Sequence, residues 1–202
     1  MMVGKGLRLL RIELLSVVSL LLWIARRRHG VPAGATAVPY AREQAPILLV
    51  FLFVMTVETV GIDLLLRAID CPEWLRAVVL IGDVYGILYC LALGAACVTR
   101  PHVVTPGELR VRFGVYFYLR VPRELISSVR LSRTYNESRM VSVADGRLSV
   151  AVSSQTNVIV QLAEPIAVVR PLGGRAEATT IRFFADDPDA VLRALRQAAP
   201  AR

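Results

Sequence analysis

Two long apolar runs stand out in the first half of the chain, at residues 47–66 and 77–98. Each has about twenty residues, the length that an α-helix needs to cross ~30 Å of hydrocarbon at ~1.5 Å per residue. Residues 67–76 separate the two runs and contain Pro72 and Trp74, so they predict a short connection. We therefore expect two transmembrane helices that form an antiparallel hairpin.

A third apolar stretch covers residues 7–25. Only residues 12–25 are free of basic side chains, and this part is shorter than the two runs described above. Arg8 and Arg11 lie near the start of the stretch, and residues 26–28, all arginine, follow it directly. Long arginine side chains can reach the membrane interface from within the bilayer, which permits a span. The same stretch suits a helix that lies along the interface, so both alternatives remain open. Residues 30–46, which come next, predict a connecting loop.

Basic residues cluster at the open end of the predicted hairpin. Residues 26–28, Arg42 and Arg100 all lie at that end, whereas the loop at residues 67–76 carries no net charge. Cytoplasmic segments beside transmembrane helices are enriched in arginine and lysine. The pattern therefore predicts a multi-pass protein of the cell membrane whose hairpin tip faces outward and whose C-terminal part is cytoplasmic.

From His102 onward, apolar and polar residues alternate, and turn-forming residues recur at intervals of roughly eight to twelve positions. This pattern is typical of a small antiparallel β domain, here with about seven strands. Asp145 and Gly146 lie between two such runs. They predict a two-residue hairpin turn, because both residues tolerate a positive φ.

The second half ends with the pattern of one amphipathic helix. Asp187 suits the cap of this helix, Pro188 suits its first position, and an apolar stripe follows. The sequence therefore predicts an α-helical membrane anchor at residues 1–98. An α+β domain at residues 99–202 is expected to follow it, with an antiparallel barrel or sandwich and one C-terminal helix.

A family resemblance rests on the start of this domain. Residues 107–114 (GELRVRFG) predict a strand that ends at a glycine, and residues 121–126 (VPRELI) close the next strand. This succession resembles the "strand, Gly, strand, IPxxxI" opening of bacterial pleckstrin-homology-like (PH-like) domains attached to membrane helices, over roughly residues 100–198. The whole chain resembles a group of integral membrane proteins of GC-rich Gram-positive bacteria. The resemblance implies a PH-like fold but no reaction.

Charge separates the two halves of the chain. The formal net charge is +8, and it comes almost wholly from arginine because Lys5 is the only lysine. Up to residue 98 there are nine basic residues against seven acidic ones, and after it fifteen against nine. The second half therefore carries +6 of the excess.

Three carboxylates lie inside the predicted hairpin: Glu58, Asp63 and Asp83. They are expected at overlapping depths, ~12, ~5 and ~9 Å from the outer ends of the helices. An ionisable group in hydrocarbon costs at least ~2.5 kcal/mol, so such groups usually face a partner or a water-filled path. We expect these carboxyls to hydrogen-bond between helices, or to pair with Arg11 or with another subunit. The alternative is a cation or proton site. Candidate further ligands are Thr56, Thr59, Tyr85 and Tyr89.

Arginines of the second half offer a candidate binding surface. Arg110 and Arg112 alternate with apolar residues, so the predicted strand holds both side chains in water. Each basic group near an anionic membrane surface contributes about 1 kcal/mol to attraction. Arg110, Arg112, Arg120 and Arg123 are therefore candidate lipid-binding or partner-binding residues, and Arg130, Arg133, Arg139 and Arg147 extend the set.

Catalysis has little support in the sequence. His29 and His102 are the only histidines, and neither lies at a catalytic spacing from a Ser, Cys or acid. The three cysteines, Cys71, Cys90 and Cys97, have no metal-ligand spacing. We predict no catalytic, cofactor-binding or metal-ligating residue. Nucleic-acid binding is not expected either, because no recognition motif is present.

Two functions remain as expectations. The first is a non-enzymatic membrane protein whose cytoplasmic PH-like domain binds another protein, in the membrane or the cytoplasm, or an anionic lipid surface. The second is a small transport or ion-coupling subunit that uses Glu58, Asp63 and Asp83. Because two or three helices are few for a transport path, the second function would require a homo-oligomer.

Overall fold

The computed structural model describes residues 2–171 and 173–197, with the backbone alone for residues 2–10. Three long helices lie in the first half: α1 (Met2–Ile24), α2 (Ala45–Ala68) and α3 (Glu73–Thr99). Strand β1 (Thr36–Val38) lies between α1 and α2. The second half contains β2 (His102–Val104), β3 (Glu108–Phe113), β4 (Phe117–Pro122), β5 (Ile126–Thr134), β6 (Val141–Ala144), β7 (Arg147–Val150), β8 (Thr156–Val169), β9 (Arg175–Phe183) and α4 (Pro188–Gln197).

Helices α2 and α3 are long and apolar enough to cross a membrane. Helix α3 packs against both α1 and α2. No residue of α2 is buried, and its large apolar side chains, such as Phe53, are exposed. Gly94 allows α2 to approach α3, because a Cβ at this position would collide with Leu48. The predicted order, with two long apolar helices before an α+β region, is confirmed.

The strands form two sheets. The first has the order β1-β2-β3-β4 with antiparallel neighbours, and the second has the order β5-β8-β9-β7-β6. In the second sheet β7 pairs with β9 in parallel, and the other pairs are antiparallel. The predicted turn at Asp145 and Gly146 is confirmed, because these two residues join β6 to β7 with φ values of 50° and 68°.

The loop predicted at residues 30–46 is wrong in part, because this segment contributes β1 to the first sheet. Thr36 pairs with Val104 and Val38 with His102. Val38 and Tyr40 alternate inward and are fully buried. Three paired residues are too short a run for periodicity to reveal, so the partner strand determines this conformation.

One core of buried side chains joins both sheets and α4. Asp187 caps α4 as predicted, since its Oδ1 accepts a hydrogen bond from the backbone N–H of Ala190 at 3.0 Å. Val191 and Leu195 of α4 are buried, as the apolar stripe predicts. The alternating pattern predicts separate strands at residues 158–162 and 166–169, but they form one strand, β8, because the chain continues through Glu164 and Pro165 without a turn.

Tyr40 and His102 form the polar part of this core. The Tyr40 hydroxyl accepts a hydrogen bond from the Gly114 N–H at 2.7 Å, and its ring stacks on His102 with 4.5 Å between centroids. His102 Nδ1 accepts from the Arg112 N–H at 3.0 Å, and Nε2 donates to the Phe184 carbonyl at 2.9 Å. These two bonds select the neutral ring with its proton on Nε2.

Burial lowers the pKa of His102 from 6.5 to about 4. The folded state therefore keeps the ring neutral while the unfolded state takes up a proton, and stability that is present above pH 6.5 is lost as the pH falls towards 4. We predict that His102→Gln is less stable than the parent at pH 7. The difference in free energy of unfolding should narrow by about 3 kcal/mol between pH 6.5 and pH 4.

Denaturant unfolding of the full chain in detergent micelles, at a series of pH values, measures this difference. Other titrating groups contribute equally to both proteins, so their effects cancel. A difference that stays constant across the window would contradict the neutral, buried ring.

Candidate functional site

Arg112 is buried, with 7% of its surface exposed, so the prediction that it points into water is wrong. Its Nη1 donates to the His29 carbonyl at 2.9 Å and its Nη2 to the Gly30 carbonyl at 3.0 Å. The guanidinium also lies over the Tyr118 ring, 5.4 Å from the centroid. Burial lowers the pKa of Arg112. The carbonyl bonds and the aromatic contact compensate for the buried charge.

Residues 29–30, whose carbonyls bind Arg112, also contact the end of α3. The His29 N–H donates to the Thr99 carbonyl at 2.8 Å, which satisfies a carbonyl that the helix end leaves free. Arg100 then bonds α1 through its Nε and the Ser19 Oγ, at 3.1 Å. Residues 29–30 therefore connect the helices to β3. We call this set, His29, Gly30, Thr99, Arg100 and Arg112, the helix–domain junction.

The other three predicted arginines also have partners within the chain. Arg110 is paired with Glu108 and is half-buried. Arg123 donates to the Leu195 carbonyl in the last turn of α4, where the helix end carries partial negative charge. Arg120 is exposed, and its Nε bonds the Tyr118 hydroxyl. Of the four predicted binding residues, only Arg120 presents its side chain to solvent.

Arginines of the second sheet behave differently. Within residues 2–171 and 173–197, six of them make no ion pair: Arg130, Arg139, Arg147, Arg170, Arg175 and Arg182. Four of the six, Arg139, Arg147, Arg170 and Arg182, line one cavity of about 530 Å³. The cavity unites residues from four strands, β5, β6, β7 and β9, and from their connections, so sequence spacing alone could not identify it.

The three carboxylates of the apolar helices have different surroundings. Asp63 is paired with Arg67 at 2.8 Å and with Arg76 at 3.0 Å, both near the tip that joins α2 to α3. Glu58 is exposed and Asp83 half-buried, and neither has a hydrogen-bond or ion-pair partner within the described part of the chain. Asp63 therefore has ion-pair partners close by, and Glu58 and Asp83 take no part in that group.

The candidate further ligands are engaged elsewhere. Thr56 and Thr59 donate to carbonyls of their own helix, at 2.8 and 2.9 Å. The Tyr89 hydroxyl lies 3.3 Å from that of Tyr116, and the Tyr85 hydroxyl donates to Glu13 at 3.2 Å. Sequence analysis did not single out Glu13. Among the described residues, no group of three or more His, Cys, Asp or Glu side chains could hold a metal ion.

Comparisons with known proteins give no relative: no family model, no curated protein and no solved structure matches the chain. The resemblance to PH-like domains therefore stays a prediction that rests on the sequence.

We predict that Asp63→Asn lowers the melting temperature of the full chain in lipid nanodiscs. The substitution removes the charge that compensates Arg67 and Arg76, and the Nε of Arg76 is already buried without an acceptor. Glu58→Gln is the matched control, because it makes the same chemical change at an unpaired position of α2, and it should leave the melting temperature unchanged. Trp74 fluorescence, close to the tip, follows the transition. Equal melting temperatures for Asp63→Asn and the parent would contradict the paired role.

Proposed function

We propose that the chain is a non-enzymatic, multi-pass protein of the cell membrane that presents a cytoplasmic PH-like domain to another protein or to an anionic lipid surface. The main support is the helix–domain junction. Strand β1 comes from the connection between α1 and α2, and it pairs with β2, which follows α3. The segment between α1 and α2 and the segment after α3 therefore both contribute to the domain, at the same end of the helices.

This arrangement bears on topology. Helices α2 and α3 form a hairpin, so the tip around Asp70 lies at the end away from the domain. Arg42 and Arg100, together with residues 26–28, lie at the domain end. An excess of arginine beside transmembrane helices favours the cytoplasmic side, and we assign the domain to that side.

Helix α1 runs along α3 in the same direction. Glu13 contacts Tyr85 near the middle of α3, and Ser19 contacts Arg100 just after its end. We extend the proposal to α1 as a third span, with the N-terminus outside. The alternative, a helix that lies along the interface, would not place Glu13 and Ser19 at successive levels of α3.

The charge distribution supports binding by the domain. Arg110, Arg112, Arg120 and Arg123 each make at least one side-chain bond within the chain. The six arginines on the second sheet and its connections have neither an ion-pair partner nor a side-chain hydrogen bond in the described residues. Free guanidinium groups near an anionic bilayer attract its headgroups, at about 1 kcal/mol each. The second sheet is therefore the proposed binding side.

A transport role for the carboxylates is the competing proposal. One observation favours it: Glu58 is exposed on an apolar helix without a partner, so a second copy of the chain could supply one. Asp63 argues against it, because two arginines already neutralise this carboxylate. The transport proposal therefore requires an oligomer in which Glu58 and Asp83 face other subunits.

Cysteine labelling tests the proposed topology. Cys71 is a natural reporter at the tip, and Asp189→Cys places a second one on the exposed side of α4. With Cys90 and Cys97 replaced by alanine, an impermeant maleimide should label Cys71 in intact cells. Asp189→Cys, tested in a chain that also carries Cys71→Ala, should react only after the membrane is permeabilised. Labelling at position 189 in intact cells would overturn the cytoplasmic assignment.

A further inference from the structure

Two neighbouring cavities share part of their lining, at Arg139, Val141 and Arg170. The first, of about 530 Å³, lies against β6, β7 and β9, where the connection from β5 to β6 lines it. The second, of about 680 Å³, lies between the end of α3 and the turn from β3 to β4. Both volumes are typical of ligand sites. We call them the arginine cavity and the apolar cavity.

The arginine cavity carries a strong positive charge. Its lining contains Arg139, Arg147, Arg170 and Arg182 against one acidic residue, Glu137, so three positive charges remain uncompensated. The Glu137 carboxylate accepts a hydrogen bond from the Ser149 hydroxyl at 3.3 Å rather than pairing with an arginine. Four guanidinium groups around one space attract an anion, and an anion between them would relieve their mutual repulsion.

The sheet holds two of these arginines in fixed positions. Ser149 of β7 pairs with Arg182 of β9, and Arg147 precedes Ser149 by two residues on the same face of β7. The Nε–H of Arg182 is buried and has no acceptor within the described residues. This group alone does not identify a ligand, because the Nε–H of Arg123, outside the cavity, is also buried without an acceptor. Phosphate oxygens match the planar donor geometry of arginine.

The apolar cavity lies at the helix end. Leu93 and Ala96 of α3 line one side, and Ala96 precedes the end of the helix by three residues. Phe113, Val115 and Met140 of the domain line the other side. If α3 crosses a bilayer, this cavity lies where headgroups meet acyl chains, and it continues into the arginine cavity through Arg139 and Arg170.

We infer that the two cavities together bind an anionic phospholipid, with its phosphate among the four arginines and its glycerol and upper acyl region against α3. The inference deepens the proposed function and rests on it, because the helices must lie in a bilayer for lipid to reach the cavity. It assigns one site between the second sheet and the end of α3, distinct from general attraction between arginines and a charged surface.

The test compares two double variants of the full chain. Arg147→Gln with Arg182→Gln removes two charges from the arginine cavity, and Arg130→Gln with Arg175→Gln removes two from the same sheet outside it. Each protein is placed in phosphatidylcholine nanodiscs that contain a minor fraction of phosphatidylglycerol. Native mass spectrometry then measures the phosphatidylglycerol retained, and hydrogen exchange measures protection of residues 134–144.

The cavity variant should retain phosphatidylglycerol about tenfold less than the parent, since each lost arginine removes a charge-assisted contact. The control variant should match the parent. Arg139→Gln, on a connection outside the strands, should also reduce retention, and it covers the case in which the double variant fails to fold. Equal losses in the cavity and control variants would overturn the site.

A second arm separates lipid from free phosphate. In nanodiscs of phosphatidylcholine alone, inorganic phosphate should not protect residues 134–144 as phosphatidylglycerol does. Equal protection by inorganic phosphate would overturn the lipid assignment. Nanodiscs expose both leaflets with the same composition, so the result does not depend on cellular topology. The nanodisc experiment can therefore contradict the lipid site, and cysteine labelling the cytoplasmic assignment, each without affecting the other.

Discussion

The buried guanidinium of Arg112 is the interaction on which the attachment of the domain depends. A charge in this position is costly unless hydrogen bonds compensate it, and the two carbonyls that do so belong to His29 and Gly30. These residues must therefore stay beside β3. Once they are held there, the following residues are in place for β1 to pair with β2 and for Tyr40 to enter the core.

The sequence revealed those elements whose signals are local. Hydrophobic length predicted α2 and α3, positive-φ residues predicted the turn at Asp145 and Gly146, and a capping residue predicted the start of α4. Each signal lies within the element that it predicts.

Other features depend on distant residues and could not be predicted in this way. Alternation placed Arg112 on the outer face of β3, but the segment that covers this face lies about eighty residues earlier in the chain. Strand β1 is too short to show a period, and its conformation depends on β2. Asp63 illustrates the same limit within the helices, because its partner Arg76 belongs to the next helix.

The structure separates two roles of arginine that the sequence could not distinguish. Arg112 joins the first sheet to residues 29–30, Arg123 joins it to α4, and Arg110 pairs with Glu108 of its own strand. In the second sheet and its connections, four arginines without ion-pair partners in the described residues line one cavity, Arg139, Arg147, Arg170 and Arg182, and this cavity adjoins a second one at the helix end. Arg112 thus fixes the domain to the helix end, and this attachment would bring the arginine cavity near the proposed bilayer surface. If the arginine cavity binds lipid because of its position beside the bilayer, the attachment of the domain to the helices must be rigid.

Pulsed electron paramagnetic resonance tests this rigidity most directly. One spin label is attached to Cys71 at the tip and another to Glu164→Cys on β8, with Cys90 and Cys97 replaced by alanine, in lipid nanodiscs. A domain held by Arg112 should give one narrow distance distribution, and Arg112→Gln should broaden it. A broad distribution in the chain that retains Arg112, or an equal width in both proteins, would contradict a fixed attachment.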